Sequence, residues 1–259
     1  MKLSKINEFK LKKNKSKIVC LTAYSKNIAK IIDKHADLIL VGDSLGSVLY
    51  NFNSTRSVTL DMMIKHSKSA RLGISNSLMI VDMPFNTYNN PTQALNNCKK
   101  IMKLTKCDGV KLEGGLKIIK TIKLLVKNKI PVMGHLGILP QSTKGKFKSK
   151  GKSTKEKKEI IRDSKLLEEA GVFSIVLECV EKKLAKEITN LISIPTIGIG
   201  SSNNCDGQVL VTDDILGLTD SKIKFVKKFT NLQHAINLGV KKFKNQVKLK
   251  KYPTKKYSY

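Results

Sequence analysis

Apolar residues along the chain gather into short, near-continuous runs. Longer stretches separate them, in which apolar positions recur every three or four residues. The runs are IVCLTAY (18–24), LILVGDS (38–44), LMIVDMPF (78–85), GVKLEGG (109–115), IPVMGHLG (130–137), SIVLECV (174–180), IPTIGIGS (194–201) and the weaker QVLVTDD (208–214). Unbroken apolar, β-branched runs of this length mark strands buried on both faces, as in a parallel sheet. Between them TLDMMIKHSKSARLGI (59–74), LKIIKTIKLLVKNK (116–129) and SKLLEEAG (164–171) have the spacing of amphipathic helices. The last stops at Gly171, as a helix C-terminus should. Eight strands alternating with helices over about 200 residues predict an α/β protein, a single (β/α)8 TIM barrel. An open doubly wound sheet is the competing architecture, but no G-x-G-x-x-G follows the first run. The expected organisation is one domain over 1–259 with its core at about 18–230. The Gly-, Ser- and Lys-rich stretch 141–158 reads as a mobile basic connection, and 241–259 as a basic, frayed tail.

Length agrees with this: 259 residues suit one barrel, and 41% hydrophobic content is close to globular. No apolar run approaches the ~18–20 residues of a membrane-spanning helix. The N-terminus is basic but carries no apolar core, so no secretory signal is expected. Five cysteines, odd in number, scattered and never in C-x-x-C, indicate free thiols and a cytoplasmic location rather than disulfides or a zinc site. The formal net charge of +29 raises nucleic-acid binding. The excess is lysine, however, spread over the whole length, with only Arg56, Arg71 and Arg162 as arginines. Dedicated RNA or DNA binding favours Arg forks and stacking aromatics, so a solvated lysine surface is the expectation.

The ends of the predicted strands carry the candidate chemistry. Successive runs finish on Asp43-Ser44, on Asp82, on Lys111 with Glu113, on His135, and on Glu178. In barrels of this type chemistry sits at that end. Taken singly, each has an ordinary explanation: an Asp as a helix N-cap, a structural His, a Lys111–Glu113 ion pair. Together they aim charged groups from five consecutive strands at one mouth. Asp43, Asp82 and Glu113 in a low-dielectric mouth would repel one another, and a divalent cation or raised pKa values would relieve this. Without a Cys cluster, an oxygen-rich site favours a hard ion, best Mg²⁺. Beside Lys111 and His135 such a site suits an anion with vicinal oxygens, such as a 2-oxo acid, whose enolate it would stabilise. Glu178, flanked by Val176, Leu177 and Val180, is placed to remove a proton alpha to the ketone. The residues by themselves lead to a Mg²⁺-assisted enolate-forming lyase, isomerase or aldol-type transferase.

At these same positions the sequence resembles the ketopantoate hydroxymethyltransferase family. The matching blocks run in family order: LTAY (21–24), LVGDSLGSV (40–48), SVTLDMMIKHSKS (57–69), VDMPF (81–85), VKLEGG (110–115), PVMGHLGILPQS (131–142), LEEAGVFSIVLECV (167–180) and IPTIGIGSSNNCDGQVLV (194–211). The resemblance implies hydroxymethyl transfer from 5,10-methylenetetrahydrofolate to 3-methyl-2-oxobutanoate, giving 2-dehydropantoate on the route to pantothenate and coenzyme A. It also implies Asp43, Asp82 and Glu113 as Mg²⁺ ligands and Asp43, Ser44, Asp82, Lys111 and His135 around the 2-oxo acid. Glu178 would be the proton acceptor, and a homo-oligomer, often a decamer, would form. The chain departs from the family pattern in LGSVLYN, in GKFKSKGK (145–152) and at Ser201-Ser202. These lie near the mouth and concern the folate side, where Lys146, Lys148, Lys150 and Lys152 offer charge to an anionic folate tail. The rival enzymatic reading is a Mg²⁺-dependent lyase or mutase of the phosphoenolpyruvate mutase and isocitrate lyase type; its loop usually carries a Cys or Ser, and this loop has no Cys. Nucleic-acid binding driven by charge is the rival from another class.

Overall fold

Each of the eight apolar runs becomes a strand in the computed structural model, which describes residues 4–142 and 148–259. The strands are β1 (Ile18–Thr22), β2 (Leu38–Val41), β3 (Leu78–Asp82), β4 (Gly109–Glu113), β5 (Val132–Gly137), β6 (Ser174–Glu178), β7 (Thr196–Ile199) and β8 (Gly207–Leu210). They pair in chain order, all parallel, and β8 closes on β1. The helices are α1 (Lys5–Lys10), α2 (Lys26–Ile32), α3 (Leu45–Tyr50), α4 (Leu60–Arg71), α5 (Pro91–Thr105), α6 (Ile119–Lys127), α7 (Thr154–Glu169), α8 (Lys182–Leu191), α9 (Thr212–Ile215) and α10 (Leu232–Lys248). Helices join successive strands as far as β7, but residues 200–206 connect β7 to β8 without one.

Strand parity sorts the side chains. Ile39, Val41, Met79, Val81, Val110, Leu112, Ile175 and Leu177 face outward into one apolar layer shared with the helices. Residues of the other parity point into the barrel. Ile18, Cys20, Leu38, Leu40, Leu78, Ile80, Met133, Val176, Ile197 and Val209 fill its lower part. Phe9 of α1 belongs to this cluster and meets Phe173 edge-on at 5.7 Å, so α1 plugs the end where the strands begin. The interior is thus a packed core rather than a pore. Asp82, Lys111, Glu113, His135 and Glu178 share the inward parity and stand one step above it. Register sets them side by side: Asp82 pairs with Lys111, Glu113 with His135, and Gly137 with Glu178.

The basic connection after β5 is shorter than the sequence suggested. Ser153 caps α7 by accepting from the Glu156 N–H, so 154–158 belong to the helix. The capping signature S-x-x-E (153–156) overrides the lysine content there. Residues 143–147, including Lys146, lie outside the described residues. The chain forms two compact units, up to Val211 and Thr212–Tyr259. Within the second, α10 continues to Lys248, and Tyr252 packs edge-on against Phe243 at 5.6 Å. Ile236, Val240, Phe243 and Val247 on α10 are exposed. No helix among the described residues is long and apolar enough to cross a membrane.

Candidate active site

The strand-end residues named from the sequence assemble at the mouth where β2 to β6 finish. Asp43, Asp82, Lys111, Glu113 and His135 are all buried. Asp43 is no helix cap: its backbone N–H donates to Asp82 Oδ2 at 3.1 Å, and its carboxylate turns inward. Gly42 before it lies close to the site, since a Cβ there would come 2.8 Å from Ser44 Oγ and displace that hydroxyl. Ser44 starts α3 without capping it, and its hydroxyl instead meets the Tyr24 phenol at 2.8 Å.

Lys111 is the hub of the charges. Its ammonium lies 3.1 Å from Asp82 Oδ1 and 3.3 Å from His135 Nδ1. An ammonium only donates, so Nδ1 accepts and the neutral ring carries its proton on Nε2. Burial and the nearby Lys111 charge hold His135 below the usual histidine range, in keeping with a neutral ring. Nε2 lies 3.1 Å from Glu178 Oε2, a short contact that is poorly aligned as a hydrogen bond. Glu113 Oε1 sits 3.6 Å from Nδ1 of the same ring. Gly137 permits the close approach of β5 to β6 here. It adopts φ +97°, and a Cβ would meet the Glu178 carbonyl oxygen at 2.1 Å.

The acids outnumber their counter-charges. Among the described residues Asp43, Asp82, Glu113 and Glu178 share one buried cation, Lys111, and taking a carboxylate out of water costs several kcal/mol unless it is paired. Burial and then the Asp82 charge push the Asp43 carboxyl up to about 7. Burial raises Glu113 to about 9 against the pull of Lys111, with Asp43 adding to the rise. Lys111 itself is pulled down by burial, but Asp82, Glu113 and Asp43 outweigh this and hold it firmly protonated. Asp82 Oδ1 is buried without a well-aligned hydrogen bond although Lys111 stands beside it. Among the described residues no three His, Cys, Asp or Glu side chains are close enough to form a ready metal cluster. Asp43 and Asp82 stand together, whereas Glu113 is turned toward His135 and the Gln141 N–H, 3.1 Å away. Mg²⁺ takes one or two carboxylates and completes its shell with water and substrate oxygens, so the pair fits a hard divalent ion without a third ligand.

Three contributors escaped the sequence reading. Gln141 is as buried as His135 and bonds to Asp43 and to the Met83 carbonyl. Tyr88 bonds to Gln141, and Tyr24 to Ser44. Gln141 and Tyr24 lie inside the blocks GILPQS and LTAY, which were visible; nothing local singles out Tyr88. Of the loop lysines, Lys150 lies 3.6 Å from Glu156, while Lys148 and Lys152 are exposed.

Comparison with known proteins gives concordant results. The family model described as ketopantoate hydroxymethyltransferase matches residues 2–255. A 3-methyl-2-oxobutanoate hydroxymethyltransferase of Pelagibacter ubique (strain HTCC1062) is 66% identical over 255 residues, covering 98% of this chain and 99% of the relative. One of the same name from Anaplasma marginale (strain St. Maries) is 46% identical, covering 99% and 94%. Among solved structures, a phosphonopyruvate hydrolase complex with oxalate and Mg²⁺ superposes with a TM-score of 0.63 at 10% identity, covering 98% of this chain and 93% of that one. A 2,3-dimethylmalate lyase gives 0.62 at 11% identity, covering 99% and 89%. These two likenesses establish the barrel fold alone.

Proposed function

The chain belongs to the ketopantoate hydroxymethyltransferase family, and from that membership we infer that it transfers a hydroxymethyl group from 5,10-methylenetetrahydrofolate to 3-methyl-2-oxobutanoate, giving 2-dehydropantoate and tetrahydrofolate in pantothenate biosynthesis. The donor set suits a divalent cation, and Mg²⁺ held by Asp43 and Asp82 is the reading it favours. Glu113 would act on the cation's water shell, since it faces Gln141 and His135. When bound, the cation supplies positive charge to the keto and carboxylate oxygens of the 2-oxo acid.

The protein's own groups divide the remaining work. Glu178 accepts the proton from C3 of the 2-oxo acid. Neutral His135, anchored by Lys111, stands against the Glu178 carboxylate with Nε2 3.1 Å from Oε2. The Lys111 ammonium offsets the negative charge that develops on the keto oxygen as the proton leaves. Ser44, fixed by Tyr24, presents its hydroxyl to the substrate carboxylate. The carbanion at C3 attacks the methylene carbon borne by folate, so that a C–C bond forms as one C–N bond breaks. Water then takes the place of the second nitrogen on that carbon. Tetrahydrofolate departs with those two nitrogens protonated, one proton being that taken from C3 and the other that given up by the water. The exposed Lys148 and Lys152 support an electrostatic attraction for the folate tail. The uncovered apolar residues of α10 support a homo-oligomer, and five free thiols support a cytoplasmic location.

The observation that carries the mechanism is Glu178 held 3.1 Å from a histidine that burial and the adjacent Lys111 keep neutral. The test incubates the protein with 3-methyl-2-oxobutanoate in D₂O, with Mg²⁺ or with EDTA, and follows the C3 proton by NMR. Exchange is expected with Mg²⁺, absent with EDTA, and slowed about 10²–10⁴-fold in Glu178→Gln. Exchange that persists in Glu178→Gln would remove the base from this account.

A further inference from the structure

Both donors of the Gln141 amide and its carbonyl oxygen are engaged, and the partners are unusual. Nε2 donates to Asp43 Oδ2 at 2.8 Å and to the Met83 carbonyl at 3.0 Å. Oε1 accepts from the Tyr88 hydroxyl at 2.5 Å. The backbone N–H donates to Glu113 Oε2 at 3.1 Å. Gln141, in the loop that follows β5, therefore grips the carboxylates that follow β2 and end β4, and the carbonyl next to Asp82. The side chain is only 2% exposed, so these bonds are not shared with bulk water.

The direction of the amide is determined by chemistry. The Met83 carbonyl can only accept, so it faces the NH₂ end, and the second N–H of that NH₂ reaches Asp43 Oδ2. That leaves Oε1 for the Tyr88 phenol, which donates to it. Burial, followed by the Glu113 charge, pushes the Tyr88 phenol up, so it stays a protonated donor. Exchanging the amide ends would set the Met83 carbonyl against Oε1 and a donor against NH₂. Tyr88 thus acts on Asp43 through Gln141.

We propose that Gln141, oriented by Tyr88, is a positioning residue that sets the affinity of the Asp43–Asp82 pair for a divalent cation. This rests on the metal reading above and goes beyond it by naming what holds the ligands. A carboxylate fixed by a donor on one oxygen loses little further freedom when the other binds a cation, so affinity rises without a new ligand. The contrary view is that Gln141 merely fills the mouth. That view predicts lower stability on substitution and an unaltered cation affinity.

The experiment titrates Mn²⁺ into the full-length protein, reading free Mn²⁺ by EPR, with thermal unfolding in parallel. Gln141→Met preserves length and bulk but has no donor, and is expected to raise the Mn²⁺ Kd about 10–100-fold. Tyr88→Phe removes one oxygen and is expected to raise it less. The double variant should match Gln141→Met alone, because the proposal routes the effect of Tyr88 through the Gln141 amide. An unaltered Kd in Gln141→Met that still unfolds cooperatively would overturn the proposal, as would full multiplication of the two effects in the double variant. If Gln141→Met does not fold, Tyr88→Phe decides, and an unaltered Kd in it counts against the proposal. Asp82→Asn separates the two levels. If Asp82→Asn abolishes Mn²⁺ binding while Gln141→Met does not alter it, only the positioning role falls. If Asp82→Asn binds Mn²⁺ as the unsubstituted protein does, the metal reading is wrong and the positioning role goes with it.

Discussion

Acidic side chains gather at both rims of the barrel, and the two rims treat them in opposite ways. Where the strands begin, each acid is met by more donors than it has negative neighbours. Asp33 accepts from the backbone N–H groups of Ser75 at 2.9 Å and Ser77 at 2.8 Å, and from that of Asn76. Asp37 takes the Val19 N–H and the Lys12 ammonium, and Asp108 takes the Met79 N–H with Arg71 nearby. Asp206 takes N–H groups from Thr196 and Asn14 and is paired with Lys13 at 2.9 Å. Where the strands end, four carboxylates share among the described residues the charge of Lys111, a neutral histidine, the Gln141 side-chain amide and the backbone N–H groups of Asp43 and Gln141. The physical difference is the supply of donors and counter-charge per acid. A buried acid surrounded by N–H groups stabilises the fold; acids that outnumber their counter-charges store unfavourable charge that a cation and substrate can relieve.

The largest effect that would sharpen this contrast is expected at the lower rim. Asp206→Ala leaves Lys13, only 9% exposed in its side chain, without its counter-charge, and leaves the Thr196 and Asn14 N–H groups unanswered. Breaking such a pair costs about 3–5 kcal/mol, on the order of 10 °C in Tm for a chain of this size. Denaturant melts should show that loss, while turnover per folded molecule stays unaltered. Next in size comes the upper rim. Asp82→Asn is expected to cut kcat by about 10²-fold or more while Tm holds or rises, because one of four crowded carboxyl groups has gone. A variant at either rim that behaved like the other would break the comparison, and paired melting and activity assays on the two proteins would reveal it.

Much of this division was legible before any coordinates. Parity along GVKLE put Lys111 and Glu113 on one face, and the repeated strand-end acids placed the candidate site at the rim where the strands finish, because both follow from the two-residue strand period. What escaped was of two physical kinds. Gln141 and Tyr88 matter through contacts across more than 50 positions of chain, and an uncharged amide on a loop gives no local signal. The donors around Asp33 and Asp206 are mostly backbone N–H groups, which every residue carries, so no residue type announces them. The same limit explains why a three-carboxylate cluster was expected. Sequence showed that Glu113 points inward but not that a backbone N–H turns its carboxylate toward β5.

The smallest expected effect tests the lower rim by its pH dependence. Burial acts to raise the Asp33 carboxyl, but the N–H groups of Ser77, Ser75 and Asn76 more than compensate and hold it below the usual aspartate value of 3.8. A carboxyl lowered in the folded state contributes stability that is fully present above its unfolded pKa. That contribution is lost as pH falls through the folded value. Asparagine keeps the shape but offers one acceptor oxygen to three N–H groups and turns an NH₂ toward the rest. Asp33→Asn should therefore cost about 1–3 kcal/mol at neutral pH. The gap between it and the unsubstituted protein should narrow once urea melts are taken below about pH 4. A gap that stayed constant down the acid limb would mean that shape, not charge, is what the Ser75–Ser77 turn recognises. The lower rim would then no longer be distinguished from the upper by how it solvates its acids.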